Sequence, residues 1–468
     1  MLWFLALAQA SAPDVDALDA TLSSLADRGA FAGMVQVNDG EQVLLRRGYG
    51  GAGPDERCRI GSLSKSFTAA AVHALQDDGV WSVDDPIGTW LLEVQAVVGD
   101  GPTLAQLMRH RGGLSELAYN PWAKPPTWEQ MAAGLVPTLT VESEPGVEER
   151  YSNSGYQLLA AAVATAAEQS YEELLQQRIL GRLGLDDTGI GAAVSPQVDF
   201  APRIATPLGL VPSQSNLPRL MPYDYRSPLG GDGSLSSTVS EMVSWGLLMH
   251  EGAVLSGASH AELLRPAADS HTAAGWVVED DGRVWHNGAL SPLGAYAYLR
   301  WSTEDQVAVA LCGSPGVGQS DVELRHVVEA ALAGEEAPRV TVHPGFLGWM
   351  AALSSVRLHA LVALLGVLLA AVAPGPRGVR RGLVGLGVGM ALVGAGLSHV
   401  LAGLSMGVLA LVLGALRLRL APKPASSTLV DLAAGLLGAS AILGGLALLV
   451  LFAGWTWLMD NMWTVLGG

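Results

Sequence analysis

Gly382 to Leu416 is a run of 35 residues with no Asp, Glu, Lys or Arg. A single helix of that length, at about 1.5 Å per residue, would extend about 52 Å, far beyond a hydrocarbon layer of about 30 Å. The run is therefore expected to cross a membrane twice, with a tip near Ser398 to Leu401 that places His399 in a loop. It is bracketed by two basic clusters, PGPRGVRR at 374–381 and RLRLAPK at 417–423. A hairpin puts both clusters on one side, which the positive-inside bias assigns to the cytoplasm. One further crossing at about 354–373 and another at about 432–451 make four.

The charge distribution divides the chain at the same place. Up to residue 343 there are 20 basic and 42 acidic residues, a formal charge near −22; from Pro344 onward there are seven basic and two acidic, near +5. The expected organisation is a leader over 1–12, an acidic domain over 13–335, a linker over 336–350 and a membrane region over 351–468. In the leader, MLWFLALAQASA, the apolar stretch Leu2 to Ala8 precedes small residues at Ala10 and Ala12 that suit cleavage. So acidic a first part argues against nucleic acid, whose phosphates require clustered Lys and Arg. No carboxylate falls deep in a crossing, which favours an anchor over an ion-coupled transporter. These readings place the acidic domain on the outer side of the cytoplasmic membrane, with membrane lipid as one partner.

Within the first part, Val15, Leu18, Leu22 and Leu25 recur at helical spacing after Asp14. GMVQV and QVLLRRGYG then read as a hairpin turning at Asn38, Asp39 and Gly40. Late in the domain GWVVE, RVWHN, GAYAYLRW and QVAVAL read as strands, followed by a helix at about 320–332. The middle, about 62–250, is mostly helical in pattern with proline-rich loops. The expected fold is α+β: an antiparallel sheet built from both ends of the domain, covered by helices, with a helical subdomain inserted between early and late strands. Catalytic groups are expected at that seam. Cys58 and Cys312, each in an apolar run, are expected to be buried free thiols rather than a disulfide framework.

IGSLSKSF at 60–67 sets Ser62 three residues before Lys65, one helical turn apart and on one face. A serine hydroxyl becomes a useful nucleophile only when a neighbour takes its proton, and an uncharged lysine can do so. Of 27 basic residues only Lys65, Lys124 and Lys423 are lysine; arginine cannot serve as such a base. RYSNSGY at 150–156 supplies Tyr151 and Asn153, and VWHNGAL at 284–290 supplies His286 and Gly288.

In these three strings the chain resembles the family of class C β-lactamases, DD-peptidases and esterases, marked by SxxK, YxN and KTG or HxG in that order. The resemblance covers about 14–333 and includes PTLAQLMRHRGGL at 102–114 and EPGVEERYSN at 145–154. It implies a serine β-lactamase-like fold and a ping-pong acyl transfer without metal or other cofactor. Ser62 would be the nucleophile, Lys65 and Tyr151 its proton shuttle, and Asn153 a positioner of lysine and substrate. The backbone N–H groups of Ser62 and Ala289 would hold the oxyanion, with His286 and Gly288 on the facing strand. The implied substrate is a small-molecule ester, a D-aminoacyl or peptidoglycan-derived peptide, or a β-lactam-like carbonyl. The rival reading is a sensor that acylates once and signals through its membrane helices.

Two departures from the family pattern matter. His286 stands where KTG has its lysine, which weakens the case for holding a substrate carboxylate, and HRGGL at 110–114 differs from the usual HTSGL. Of the other candidates, Ser234 in GDGSLSS reads as the cap of a helix near 239–250 and His110 as the support of a loop.

Overall fold

Strict alternation of side chains along three central strands decides the layering. In the computed structural model, which describes residues 12–27, 31–117, 126–191, 229–290, 295–304, 306–315 and 321–338, the strands are β1 (Phe31–Asp39), β2 (Gln42–Tyr49), β3 (Cys58–Arg59), β4 (Gly189–Ile190), β5 (Leu235–Ser237), β6 (Val277–Val278), β7 (Arg283–Leu290), β8 (Ala295–Ser302) and β9 (Val307–Pro315). Six of them form one antiparallel sheet in the order β2-β1-β9-β8-β7-β6. The expected union of the two ends of the domain is thus present, joined where β1 pairs with β9. The expected leader, most of the linker and all four expected membrane crossings lie outside the described residues. Among the described residues no helix is long and apolar enough to cross a membrane.

Successive strand side chains point to opposite faces. On β9, Val307, Val309 and Leu311 join one core while Ala308, Ala310 and Cys312 join the other. The first core is closed by helices Val15–Asp27 and Asp321–Leu332, through Leu18, Leu22, Val327 and Val328. Asp14 caps the former by accepting from the Ala17 N–H at 2.9 Å, and its own N–H donates to Leu332 O at 2.8 Å, tying the two helices together. The second face is lined by small residues, and on it sits helix Val239–His250, whose Gly246 lies against Leu299 and Trp301. Its cap is Thr238, which accepts from the Glu241 N–H at 3.2 Å, rather than Ser234. Ser234 falls short because the segment between them is spent on β5.

The helical middle contains two long alanine-rich helices, Ser64–Asp77 and Asn153–Ala167. Ala69, Ala70 and Ala71 of the first and Ala160, Ala161 and Ala162 of the second are buried in one core, since short side chains let helices approach closely. A three-stranded sheet, order β3-β5-β4, lies within this middle part and was not legible in its mostly helical pattern.

Cys58 and Cys312 form a disulfide, contrary to the expectation of free thiols. β3 passes over the small-residue face of β9, bringing the two Cα atoms to 6.4 Å, within the roughly 7 Å that a bridge can span. A contact between residues 254 positions apart leaves no trace in local pattern. Cys58 itself lies in the small three-stranded sheet.

Candidate active site

The nucleophile segment enters through Gly61, whose φ of +50° is a conformation that favours glycine. Ser62 occupies a single 3₁₀ turn, Gly61–Leu63, and the α-helix starts only at Ser64. The turn is fixed on both flanks: Ile60 N donates to Leu235 O at 3.0 Å, and Leu235 N donates to Ser64 Oγ at 3.1 Å. Ser62 is thereby part-exposed at the helix mouth while Lys65, one turn on, is fully buried.

Lys65 Nζ lies 2.8 Å from Asn153 Oδ1, 2.7 Å from Asp232 O and 3.2 Å from Ser62 Oγ. The first two atoms can only accept, so they take two of the amine's hydrogens and fix its orientation. The remaining direction faces the serine hydroxyl. Tyr151 comes from the loop ahead of helix Asn153–Ala167, and its hydroxyl donates to Ser62 Oγ at 2.7 Å. Its ring lies 4.9 Å from Lys65 Nζ. Ser152 caps the helix by accepting from Gly155 N at 2.9 Å, which orients Asn153 at the helix start.

The facing wall is β7. A Cβ on Gly288 would stand 1.8 Å from Ile60 O and 2.9 Å from Ser62 N; one on Gly61 would stand 3.1 Å from Ala289 N. Only glycines let the strand and the nucleophile turn meet this closely, and the N–H groups of Ser62 and Ala289 flank their meeting point. His286 is 8% exposed. Its Nδ1 lies 2.5 Å from Asn287 O, and because a carbonyl only accepts, Nδ1 carries the proton and Nε2 a lone pair. Burial, with the nearby Lys65, lowers its pKa to about 4, so it is neutral near pH 7.

Ser62, Tyr151, Asn153, His286 and Ala289 all line one cleft of about 440 Å³. Lys65 lies beneath it, and Gly288 brings strand and turn together. Every residue expected at the site from sequence is therefore gathered in one place. Three others also belong there. The Asp232 backbone oxygen holds Lys65; its GDGS string carried a signal that was assigned to helix capping instead. His110 does support a loop, and that loop carries Tyr151: Arg150 N donates to His110 O at 2.8 Å, Ser152 N donates to His110 Nδ1 at 3.1 Å, and the His110 ring lies 4.4 Å from that of Tyr151. Burial lowers the pKa of His110 to about 3, with help from Lys65 and His286, so its Nδ1 stays a free acceptor for that N–H. Glu149 also lines the cleft, where its carboxylate accepts from Thr272 Oγ1 at 2.6 Å.

Comparison with known proteins identifies the family and the fold. The family model described as Beta-lactamase matches residues 18–332. Penicillin-binding protein 4* of Bacillus subtilis (strain 168) is 24% identical over 304 residues, 58% of this chain and 66% of that protein. The D-alanyl-D-alanine-carboxypeptidase/endopeptidase AmpH of Escherichia coli (strain K12) is 29% identical over 234 residues, 46% and 57% respectively. The alignment thus spans under two thirds of either relative's length. Among solved structures, a D-stereospecific amidohydrolase from Streptomyces sp. superposes with a TM-score of 0.55 at 21% identity, covering 69% of this chain and 99% of that one. The octameric penicillin-binding protein homologue from Pyrococcus abyssi gives 0.53 at 19%, covering 69% and 77%. At those identities the likeness shows the shared fold.

Proposed function

This chain belongs to the Beta-lactamase family, and from that premise we propose that it is a serine hydrolase that forms an acyl-enzyme at Ser62. The observation that carries the reading is the placement of Ser62 Oγ 3.2 Å from Lys65 Nζ and 2.7 Å from the Tyr151 hydroxyl. In the first half-reaction Ser62 Oγ bonds to the carbonyl carbon as its proton passes to the Lys65 amine. The oxyanion rests on the N–H groups of Ser62 and Ala289, a kind of donor whose loss costs about 10²–10³ in rate. As the tetrahedral adduct collapses, Tyr151 delivers a proton to the departing group, drawn from Lys65. A water then gives a proton back to the pair, attacks the acyl carbon, and releases the acid and the Ser62 hydroxyl.

The substrate class is an ester, a D-aminoacyl peptide or a β-lactam-like carbonyl. AmpH is a carboxypeptidase and endopeptidase by name. With neutral His286 at the place of the family's cationic lysine, substrates lacking a carboxylate there gain ground over β-lactams.

We place this activity outside the cytoplasmic membrane, with residues 351–468 as anchor. The apolar run 382–416 between basic clusters supports this, as does the Cys58–Cys312 bridge, since disulfides persist in oxidising compartments. The functional test is turnover of p-nitrophenyl esters and D-alanyl peptides by wild type and Ser62→Ala. A burst followed by steady turnover, absent from the variant, is expected. A burst with no further product would make the protein a single-acylation sensor instead, and equal rates in both proteins would remove Ser62 from the reaction.

A further inference from the structure

The charges around the cleft bear on which substrates it admits. Among the described residues that line it there is no arginine or lysine side chain, and the one carboxylate is Glu149. Lys65 offers no free N–H to a ligand in the cleft, because it is fully buried and its Nζ is already bound to three oxygens. His286 presents the lone pair of Nε2, its Nδ1 proton being committed to Asn287 O. A substrate carboxylate entering here would meet an acceptor and an anion.

Glu149 is held rather than free to swing away. Its Oε1 accepts from Thr272 Oγ1 at 2.6 Å, across from the loop that carries Tyr151, and its Oε2 lies 3.6 Å from Arg111. That arginine is shared: it is hydrogen-bonded to the Asp269 carboxylate as well. Two carboxylates on one guanidinium leave the group with a net negative charge. Glu149 sits two residues before Tyr151, so it moves with the loop that meets the nucleophile.

We propose that Glu149 selects substrates bearing an ammonium group, and that the cleft rejects those with a carboxylate in its place. This rests on the reading of Ser62 as an acylated nucleophile and adds to it the charge class of the substrate. Charge pairs in a partly desolvated cleft discriminate by several-fold to a hundred-fold and weaken as salt rises.

The test compares kcat/KM for three p-nitroanilides of D-alanine that share the scissile bond: the free amine, the N-acetyl and the N-succinyl derivative. Wild type is expected to prefer the free amine to the N-succinyl compound by at least about 10-fold, with the preference shrinking as salt rises. In Glu149→Gln the ratio of free amine to N-acetyl is expected to fall about 10-fold, and Glu149→Asp is expected to restore most of it. A merely structural role would lower all three rates together and leave the ratio unmoved. That result, or an N-succinyl compound cleaved as well as the free amine, overturns the inference. The wild-type comparison stands even if the variants fail to fold. Labelling by a fluorophosphonate is run in parallel: labelled protein without the ammonium preference sinks this inference alone, whereas protein that is not labelled at Ser62 sinks the nucleophile reading and this inference with it.

Discussion

Gly288→Ala is the smallest change that tests how strand and nucleophile turn cooperate. An added Cβ would lie 1.8 Å from Ile60 O, 2.7 Å from Ile60 C and 2.9 Å from Ser62 N. Real Cβ contacts are not found under 3.0 Å, so β7 and the turn must separate by about 1.2 Å. All three clashing atoms are backbone, and no side-chain rotation relieves them. β7 is tied on its other side to β8 through the pairs Gly288↔Ala297 and Ala289↔Tyr296, while the turn is tied to β5, so the strain falls on the gap between them. That gap holds the two N–H groups assigned to the oxyanion. A misplacement of about 1 Å costs on the order of 10²-fold, and full loss of one oxyanion donor about 10²–10³-fold. Overpacking of this kind lowers stability by about 1–3 kcal/mol. Steady-state ester hydrolysis should therefore show kcat/KM reduced at least 10²-fold in a protein that still unfolds cooperatively in urea. Gly257→Ala is the control, because nothing lies within 4 Å of its added Cβ. Activity of Gly288→Ala within about 10-fold of wild type, at unchanged stability, would refute the argued coupling of β7 to the nucleophile turn.

Three further outcomes follow from the same structure. Lys65→Arg replaces an amine that can give up and take back a proton with a guanidinium that cannot, so kcat should fall by about 10²–10⁴ with the acyl-enzyme no longer formed at a measurable rate, as followed by rapid-quench mass spectrometry. His73 is fully buried, with neither ring nitrogen hydrogen-bonded among the described residues, and burial together with Arg109 lowers its pKa from 6.5 to about 4. The unfolded chain therefore binds this proton more readily; the stability is complete above pH 6.5 and is lost as pH falls towards 4. At about 1.4 kcal/mol per pH unit the loss from this residue by pH 5 is about 2 kcal/mol, and urea titrations of His73→Asn should show a correspondingly flatter pH dependence. Replacing both cysteines, Cys58→Ala with Cys312→Ala, should lower unfolding free energy by about 2–5 kcal/mol in urea, because the bridge closes so long a loop; an unchanged midpoint would count against the bridge.

How far the sequence disclosed this molecule depends on the range of each signal. Local signals were legible: the hairpin at Asn38 to Gly40, the alternation of β7 to β9, the helix opened by Asp14, and the SxxK spacing that sets Ser62 and Lys65 on one face. The resemblance to the family marked by SxxK, YxN and HxG then associated Tyr151, Asn153 and His286 with them. What stayed hidden is made of contacts between distant segments. The Cys58–Cys312 bridge depends on β3 crossing β9, and the Asp232 oxygen reaches Lys65 from 167 positions away. Backbone groups carry no residue-type signature, which is why Asp232 was missed while Asn153 was not. His110 was seen as a loop support, but that the loop is the one carrying Tyr151 depends on tertiary placement. The role of Glu149 was obscured because one carboxylate among 44 reads as solvated surface until its neighbours are known.

The central claim is that the hydroxyl of residue 62 is the group that becomes acylated. Incubation with a fluorophosphonate, followed by proteolysis and mass spectrometry of the peptides, tests it directly. The account predicts one adduct, on the peptide containing Ser62, and none in Ser62→Ala; an adduct on another serine, or one that persists in the variant, would contradict it.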